Sequence, residues 1–408
     1  MLGTLLALVI ALFLQIHPIP QQIDLSALAA IMLLISIPFL IIFPLGLMWT
    51  WLPMQKAEQN ATPRILEMFR LDNHIRMTGG VIVAFPLITL AMVGGLLYIY
   101  PLERNLILGL WILLLGITID SLRHYAKRVM RYLNPFSVVT LFTEYAKATI
   151  RNNQESDLCH WVDALTEVGI KGIQRHSSAI CNLIIDELQE ISQLFLEASK
   201  SIAHPNKDAQ SEALGISDKV GFMMFFIYQR LDMIFQKALN NRMETTCNHL
   251  IAVLGKIAVS AAKYDVSLAS VPLRFLGKCA SHAQNEGLEE TPITASCTLL
   301  EVAKIILTDI DIRYYEIKDA FLSIINGMDI LAKGTFKRNK ETNIVLLMQP
   351  FKDLKKLFEQ PNTKDHQDTP IILQSINRVL GEFEALLLVM NTMPKIPDIE
   401  EKKAEKPA

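Results

Sequence analysis

The sequence predicts an all-α chain in two parts: N-terminal multi-span transmembrane helices, then a cytoplasmic helical bundle or α-solenoid-like helical array. Three observations predict it. Before residue 120 the chain holds long runs without a charged side chain. Beyond it, apolar residues recur every three or four positions. Nowhere does a stretch alternate apolar and polar residues between turn signals, as a half-buried strand would. The 51% hydrophobic content and mean hydropathy of +0.30 are concentrated ahead of residue 120.

Taken in order, spans are expected at about 2–17, 26–51, 79–100 and 104–121. No charged residue lies between Leu25 and Gln55 or between Met77 and Leu102, and each run exceeds the roughly 20 residues a helix needs to cross hydrocarbon. Asn105 to Ile119 covers only ~22 Å at the helical rise, so that span must borrow flanking residues such as Arg104 or Ser121. The opening run, Met1 to Ile16, has no Lys or Arg ahead of it and no small-x-small pattern before Pro18, which opposes a signal peptide and favours a fourth span.

Orientation follows from the basic residues beside the spans. Lys56, Arg64, Arg70 and Arg76 lie in the loop over 53–78, and Arg123, Lys127, Arg128 and Arg131 follow the last span; the opposite side has only Arg104. This pattern places the loop and the C-terminal part in the cytoplasm. Thr62-Pro63 is an N-cap and first-turn proline for a helix inside that loop. Its Ile65, Leu66, Met68 and Phe69 suit either a membrane surface or packing on the cytoplasmic domain.

The spans show no ionisable side chain inside the hydrocarbon, which argues against an ion or proton route. Pro38, Pro44 and Pro86 kink helices, and Gly94, Gly95, Gly109 and Gly116 permit close helix contacts. Both are ordinary in membrane helices.

The cytoplasmic helical domain is expected over 121–394, with a Lys/Glu/Pro-rich disordered tail over 395–408. The basic segment Ser121 to Leu133 reads as a positive-inside stop signal or as an anionic-lipid contact through Arg123, Lys127, Arg128 and Arg131. Asn134-Pro135 ends it and caps the next helix. Ile180, Ile184, Leu188, Ile191, Phe195, Ala198 and Ile202 then form a single helical stripe. Similar stripes run at about 137–152, 156–174, 217–239, 243–263, 267–284, 292–309, 313–333, 341–359 and 370–392. Leu254-Gly255-Lys256-x-Ala258-x-x-Ala261 is echoed by Leu276-Gly277-Lys278-x-Ala280-x-x-Ala283, as in hairpins that stack closely. Val220 to Tyr228 is apolar on all sides and too short to span; it suits a central core helix or a docking surface.

Chemistry-bearing motifs are absent. Cys247 with His249 and Cys279 with His282 suggest zinc, but residues two apart on a helix point ~200° apart and do not converge. Asp157, His160, Asp163 and Glu167 line one helix face without the Glu-x-x-His pairs of a di-metal bundle. Gly255-Lys256 and Gly277-Lys278 lack the rest of a phosphate loop, and no nucleophile elbow occurs. The five cysteines are odd in number and widely spaced, as free thiols in a reducing compartment. A net charge of −2 opposes nucleic-acid binding.

No catalytic residue, cofactor or metal is therefore expected. The expected partners are membrane lipids and either a protein partner or a second copy bound through the cytoplasmic helices. The expected function is a scaffold anchored in the cytoplasmic (inner or plasma) membrane; the alternative is an oligomeric transporter or channel component with a polar lumen drawn from His17, Thr89 or Thr118.

Overall fold

The structure, a computed structural model, describes residues 2–16, 26–39, 41, 55, 62, 64–98, 104–152, 154–202, 210–339 and 342–392. Among them every regular element is helical. The chain divides into two compact units, Met1–Glu144 and Tyr145–Ala408. The division falls inside a helix, later than the boundary drawn at residue 120.

The first unit holds α1 (Leu2–Ile16), α2 (Ser26–Phe39), α3 (Arg64–Leu71), α4 (Asn73–Tyr98) and α5 (Arg104–Leu133), and takes in the start of α6 (Pro135–Arg151). Short polar side chains start three of them. The Thr62 hydroxyl accepts from the Arg64 amide at 3.3 Å, Asp72 from the His74 amide at 2.9 Å, and Asn134 from the Phe136 amide at 3.1 Å. α4 and α5 are long and apolar enough to cross a membrane, and α1 and α2 are shorter apolar helices. His17, Pro44 and most of the second half of the span expected at 26–51 lie outside the described residues.

α2, α4 and α5 share a core of Ala29, Met32, Phe85, Val93, Leu108 and Trp111. Phe39 meets Phe85 edge-on at 5.1 Å. The Trp111 indole donates to the Thr89 hydroxyl at 3.0 Å, which itself donates to the Phe85 carbonyl at 2.9 Å, so no buried donor in this core is left open.

α1 lies antiparallel along α5. Gly3, Ala7 and Ala11 form its contact face: a Cβ on Gly109 would stand 3.6 Å from the Ala11 Cβ, and one on Gly116 only 2.5 Å from the Ala7 Cβ and 2.6 Å from the Gly3 carbonyl. One helical turn past Gly116, Asp120 takes the amides of Gly3 at 3.2 Å and Thr4 at 2.9 Å, together with the Thr4 hydroxyl. Asp120 is 8% exposed. The expectation of uncharged spans is met up to Ile119; this carboxylate at the end of the apolar stretch is buried because the start of α1 offers it unpaired amides.

The second unit is built from α7 (Glu155–Gln174), α8 (Ser178–Ile202), α9 (Gln210–Asn240), α10 (Glu244–Tyr264), α11 (Ser270–Asn285), α12 (Glu290–Asp309), α13 (Lys318–Arg338), α14 (Ile344–Phe358), the single turn α15 (Pro361–Lys364) and α16 (Thr369–Thr392). Each long helix packs on its neighbour in sequence and on the helix two places along. α7, α9, α11 and α13 therefore form one file and α8, α10, α12 and α14 another, with α16 closing on α13 and α14. This is the connectivity of stacked helical hairpins. From Ile180 to Phe195 the α8 stripe is buried as its periodicity predicts, with Ile184, Leu188 and Ile191 fully covered. α12 is a third helix long and apolar enough to span a membrane, but its Ala295, Leu299, Val302, Ala303 and Ile306 are buried in the array.

The Leu-Gly-Lys echo marks the stacking. A Cβ on Gly255 of α10 would collide with Thr298 of α12, and one on Gly277 of α11 would stand 3.2 Å from the Gly327 Cα of α13. Both glycines thus bring a helix onto the one two places along, one in each file.

The hairpins also share a turn. The amides of Ser177, Met243 and Leu288 reach back to the carbonyls of Gly172, Ala238 and Ala283. Those of His176, Arg242 and Gly287 reach Ile173, Leu239 and Gln284. These are Schellman closures at the ends of α7, α9 and α11, and their pivots have φ of 54°, 53° and 91°. α13 begins at Lys318 instead of near residue 313. A 3-10 turn at Ile312–Tyr314 intervenes, and Asp368 caps the helix by accepting from the Ile317 and Lys318 amides at 2.9 and 3.2 Å.

Arg242→Gly is expected to stabilise the array by about 1 kcal/mol by relieving a left-handed residue, and Gly287→Ala to destabilise it by a similar amount. Urea unfolding followed by circular dichroism measures both. Gly277→Leu is expected to cost about 1–3 kcal/mol through overpacking against α13. Gly381→Ala, where a Cβ meets nothing within 4 Å, should cost nothing in the same assay.

Candidate functional site

The polar end of α5 and the α3–α4 corner form the densest functional candidate in the first unit. Asp72 sits between α3 and α4 with its side chain 6% exposed, and it holds α5 through two hydrogen bonds, from Arg128 Nε at 2.8 Å and from the Tyr132 hydroxyl at 2.8 Å. Phe69 packs edge-on against Tyr132 at 5.9 Å, and Ile65 and Met68 are buried. The apolar face of α3 is therefore covered within its own unit. Burial opposes the Asp72 charge, but the bonds from Arg128 and Tyr132 outweigh it and hold the carboxyl below its usual 3.8.

The four basic residues expected to meet anionic lipid separate three and one. Arg123, Lys127 and Arg131, spaced by four residues, form an exposed ridge, and among the described residues none pairs with a carboxylate. Arg128, turned to the other side, is half-buried against Asp72.

Beside this corner runs an apolar groove of about 510 Å³, lined by Phe69, Ile75, Arg76, Gly79, Gly80, Val83, Ala84, Leu87 and Tyr125. Arg76 is the charged residue of this lining. Its Nε and one terminal nitrogen donate to the Arg70 carbonyl at 3.0 and 2.9 Å.

In the array, the chemistry-bearing residues are engaged in structure. Cys247 is fully buried in α10, its thiol pushed up to about 12 by burial and then by Glu244, while His249 points elsewhere, its Nε2 2.8 Å from Asp186 of α8. Cys279 is buried against Asp232 at 3.6 Å and its thiol is likewise raised, chiefly by burial. His282 meets Gln236 at 2.8 Å. Neither thiol is an activated nucleophile. Asp163 pairs with Arg230 of α9 at 2.5 Å, and His160 lies edge-on to Trp161. Among the described residues no group of His, Cys, Asp or Glu is placed to hold a metal ion.

The apolar segment Val220–Tyr228 divides by face. Val220, Met223, Met224, Ile227 and Tyr228 are buried, but Phe222 and Phe225 are 65% and 45% exposed. Phe225 meets Phe275 of α11 at 6.1 Å, and Arg230 lies over Phe226 at 4.4 Å. Asp72, Asp120 and the groove escaped the sequence reading because each depends on residues brought from another helix.

No protein-family profile matches the chain, and no curated protein matches it in sequence. Among solved structures it is similar to a circular tandem repeat protein with novel repeat topology and enhanced subunit contact surfaces, with 13% identity, coverage of 90% of this chain and 99% of the other, and a TM-score of 0.27. At that score the similarity carries no argument about fold or function.

Asp72→Asn is expected to lower the stability of the first unit by about 1–3 kcal/mol, since Arg128 loses its carboxylate. The folded carboxyl titrates below 3.8, so its contribution is present above that pH and is lost as pH falls through the depressed value. Thermal unfolding in detergent should show this acid-side loss in the wild type and not in the Asn variant.

Proposed function

We propose that the chain is a membrane-anchored helical scaffold whose array presents a protein-interaction surface in the cytoplasm. The observation that carries this reading is the use made of the polar groups among the apolar helices. Thr89 is occupied by Trp111 and Phe85, Thr118 donates to the Leu114 carbonyl at 2.8 Å, and both are fully buried. Side chains committed in this way do not line a conducting path, which weighs against the transporter reading.

The lengths of α4 and α5 support an anchor of several spans. The antiparallel seam of α1 on α5 supports counting α1 as a span of opposite direction, with its start on the same side as Arg123, Lys127 and Arg131. That ridge is suited to the anionic surface of the cytoplasmic leaflet. On the array, Phe222 and Phe225 supply exposed aromatic anchors of the kind that dominate partner binding.

Reporter fusions after Asn60 and at Ala408 are expected to be active only on the cytoplasmic side; activity of either on the outside would overturn the topology. Crosslinking in native membranes followed by purification should recover a stoichiometric partner that Phe222→Glu with Phe225→Glu releases. Recovery of the chain alone, as a closed oligomer that conducts in liposomes, would favour the pore.

A further inference from the structure

We propose that the groove along α4 binds one acyl chain of an anionic phospholipid, with the lipid phosphate at Arg76. The proposal rests on the reading of α4 as a membrane span. From Arg76 to Leu87 the groove follows about 16 Å of helix axis. That matches one leaflet, half of a ~30 Å hydrocarbon core.

Its floor is made where side chains are missing. Gly79 and Gly80 lie in it, and a Cβ built on Gly80 meets nothing within 4 Å. Val83 and Leu87 on its wall are 42% and 61% exposed, apolar surface that a lipid chain would cover.

The mouth supplies charge complementarity. Arg76 is exposed and is fixed by two hydrogen bonds to a carbonyl, an acceptor that leaves its positive charge unneutralised. Asp72, the acid nearest to it in sequence, is occupied by Arg128 and Tyr132. A guanidinium so placed is a donor for a phosphate oxygen. The length of the groove and the single charged residue of its lining, Arg76, suit one extended chain that carries an anionic headgroup.

The full-length protein, reconstituted in vesicles of phosphatidylcholine with photoactivatable phosphatidylglycerol or phosphatidylcholine, tests this. Adducts are expected on the peptide carrying Gly80 to Leu87, with phosphatidylglycerol preferred. Gly80→Trp, at a position where a Cβ meets nothing within 4 Å, places an indole in the groove and should reduce that adduct about tenfold. Arg76→Gln should abolish the headgroup preference while leaving phosphatidylcholine adducts in place. Val83→Trp, from the exposed wall, provides a second block should Gly80→Trp misfold.

Labelling spread evenly over α4 and α5, or unchanged by both tryptophans, would overturn the proposal. So would a Val83→Cys disulfide between two copies, which would identify the occupant as a second chain. Alkaline carbonate extraction separates the two claims. Release of the chain defeats the spanning reading, whereas a retained chain with an unlabelled groove defeats the lipid site alone.

Discussion

Two helices can approach to backbone contact only where one of them lacks a side chain, and both units are organised around such places. In the first, Gly116 lets α5 rest on Ala7 and on the Gly3 carbonyl of α1. In the second, Gly255 opens α10 to α12 and Gly277 opens α11 to α13. Near contact leaves little freedom of sliding or rotation, so these few glycines fix the register of long helices that would otherwise pack in several ways. The physical source of cohesion differs between settings. In the second unit the buried Leu, Ile and Phe drive the stacking, whereas among the apolar helices of the first the close approach adds dispersion beside the inter-helix hydrogen bonds.

The second recurring device is a carboxylate that caps a helix and ties it to another part of the chain. Asp120 of α5 holds the first amides of α1, and Asp368 holds those of α13. Asp72 caps α4 while gripping α5. In each case a group costly to bury is placed on donors that are equally costly to leave open, and the pairing ties distant segments together. This explains how a chain with few polar groups in its apolar helices still positions them.

Most helices were legible from periodicity, because amphipathic stripes such as Ile180 to Ile202 reflect burial directly. The echo around Gly255 and Gly277 was legible too, and it marks true stacking contacts. The Schellman turns were not: two of the three pivots are His176 and Arg242 instead of the glycine that would have announced them. The beginning of α13 was misplaced because its cap, Asp368, follows it by half a hundred residues. At the candidate site, the basic residues were readable as a cluster, but their division was not. Whether Arg128 faces outward or pairs within the protein depends on Asp72, which sits at the α3–α4 corner and carries no local sign of its role.

The two files of the array have a mechanical consequence. Among the described residues the long helices pack mainly on their sequence neighbours and on the helix two places along, so stability is largely a sum of local terms and strain introduced at one end is spread over neighbouring pairs. Whatever load α7 carries reaches α16 attenuated by every intervening hairpin. A change at one end of such a file is therefore shared out among the intervening pairs before it reaches the other.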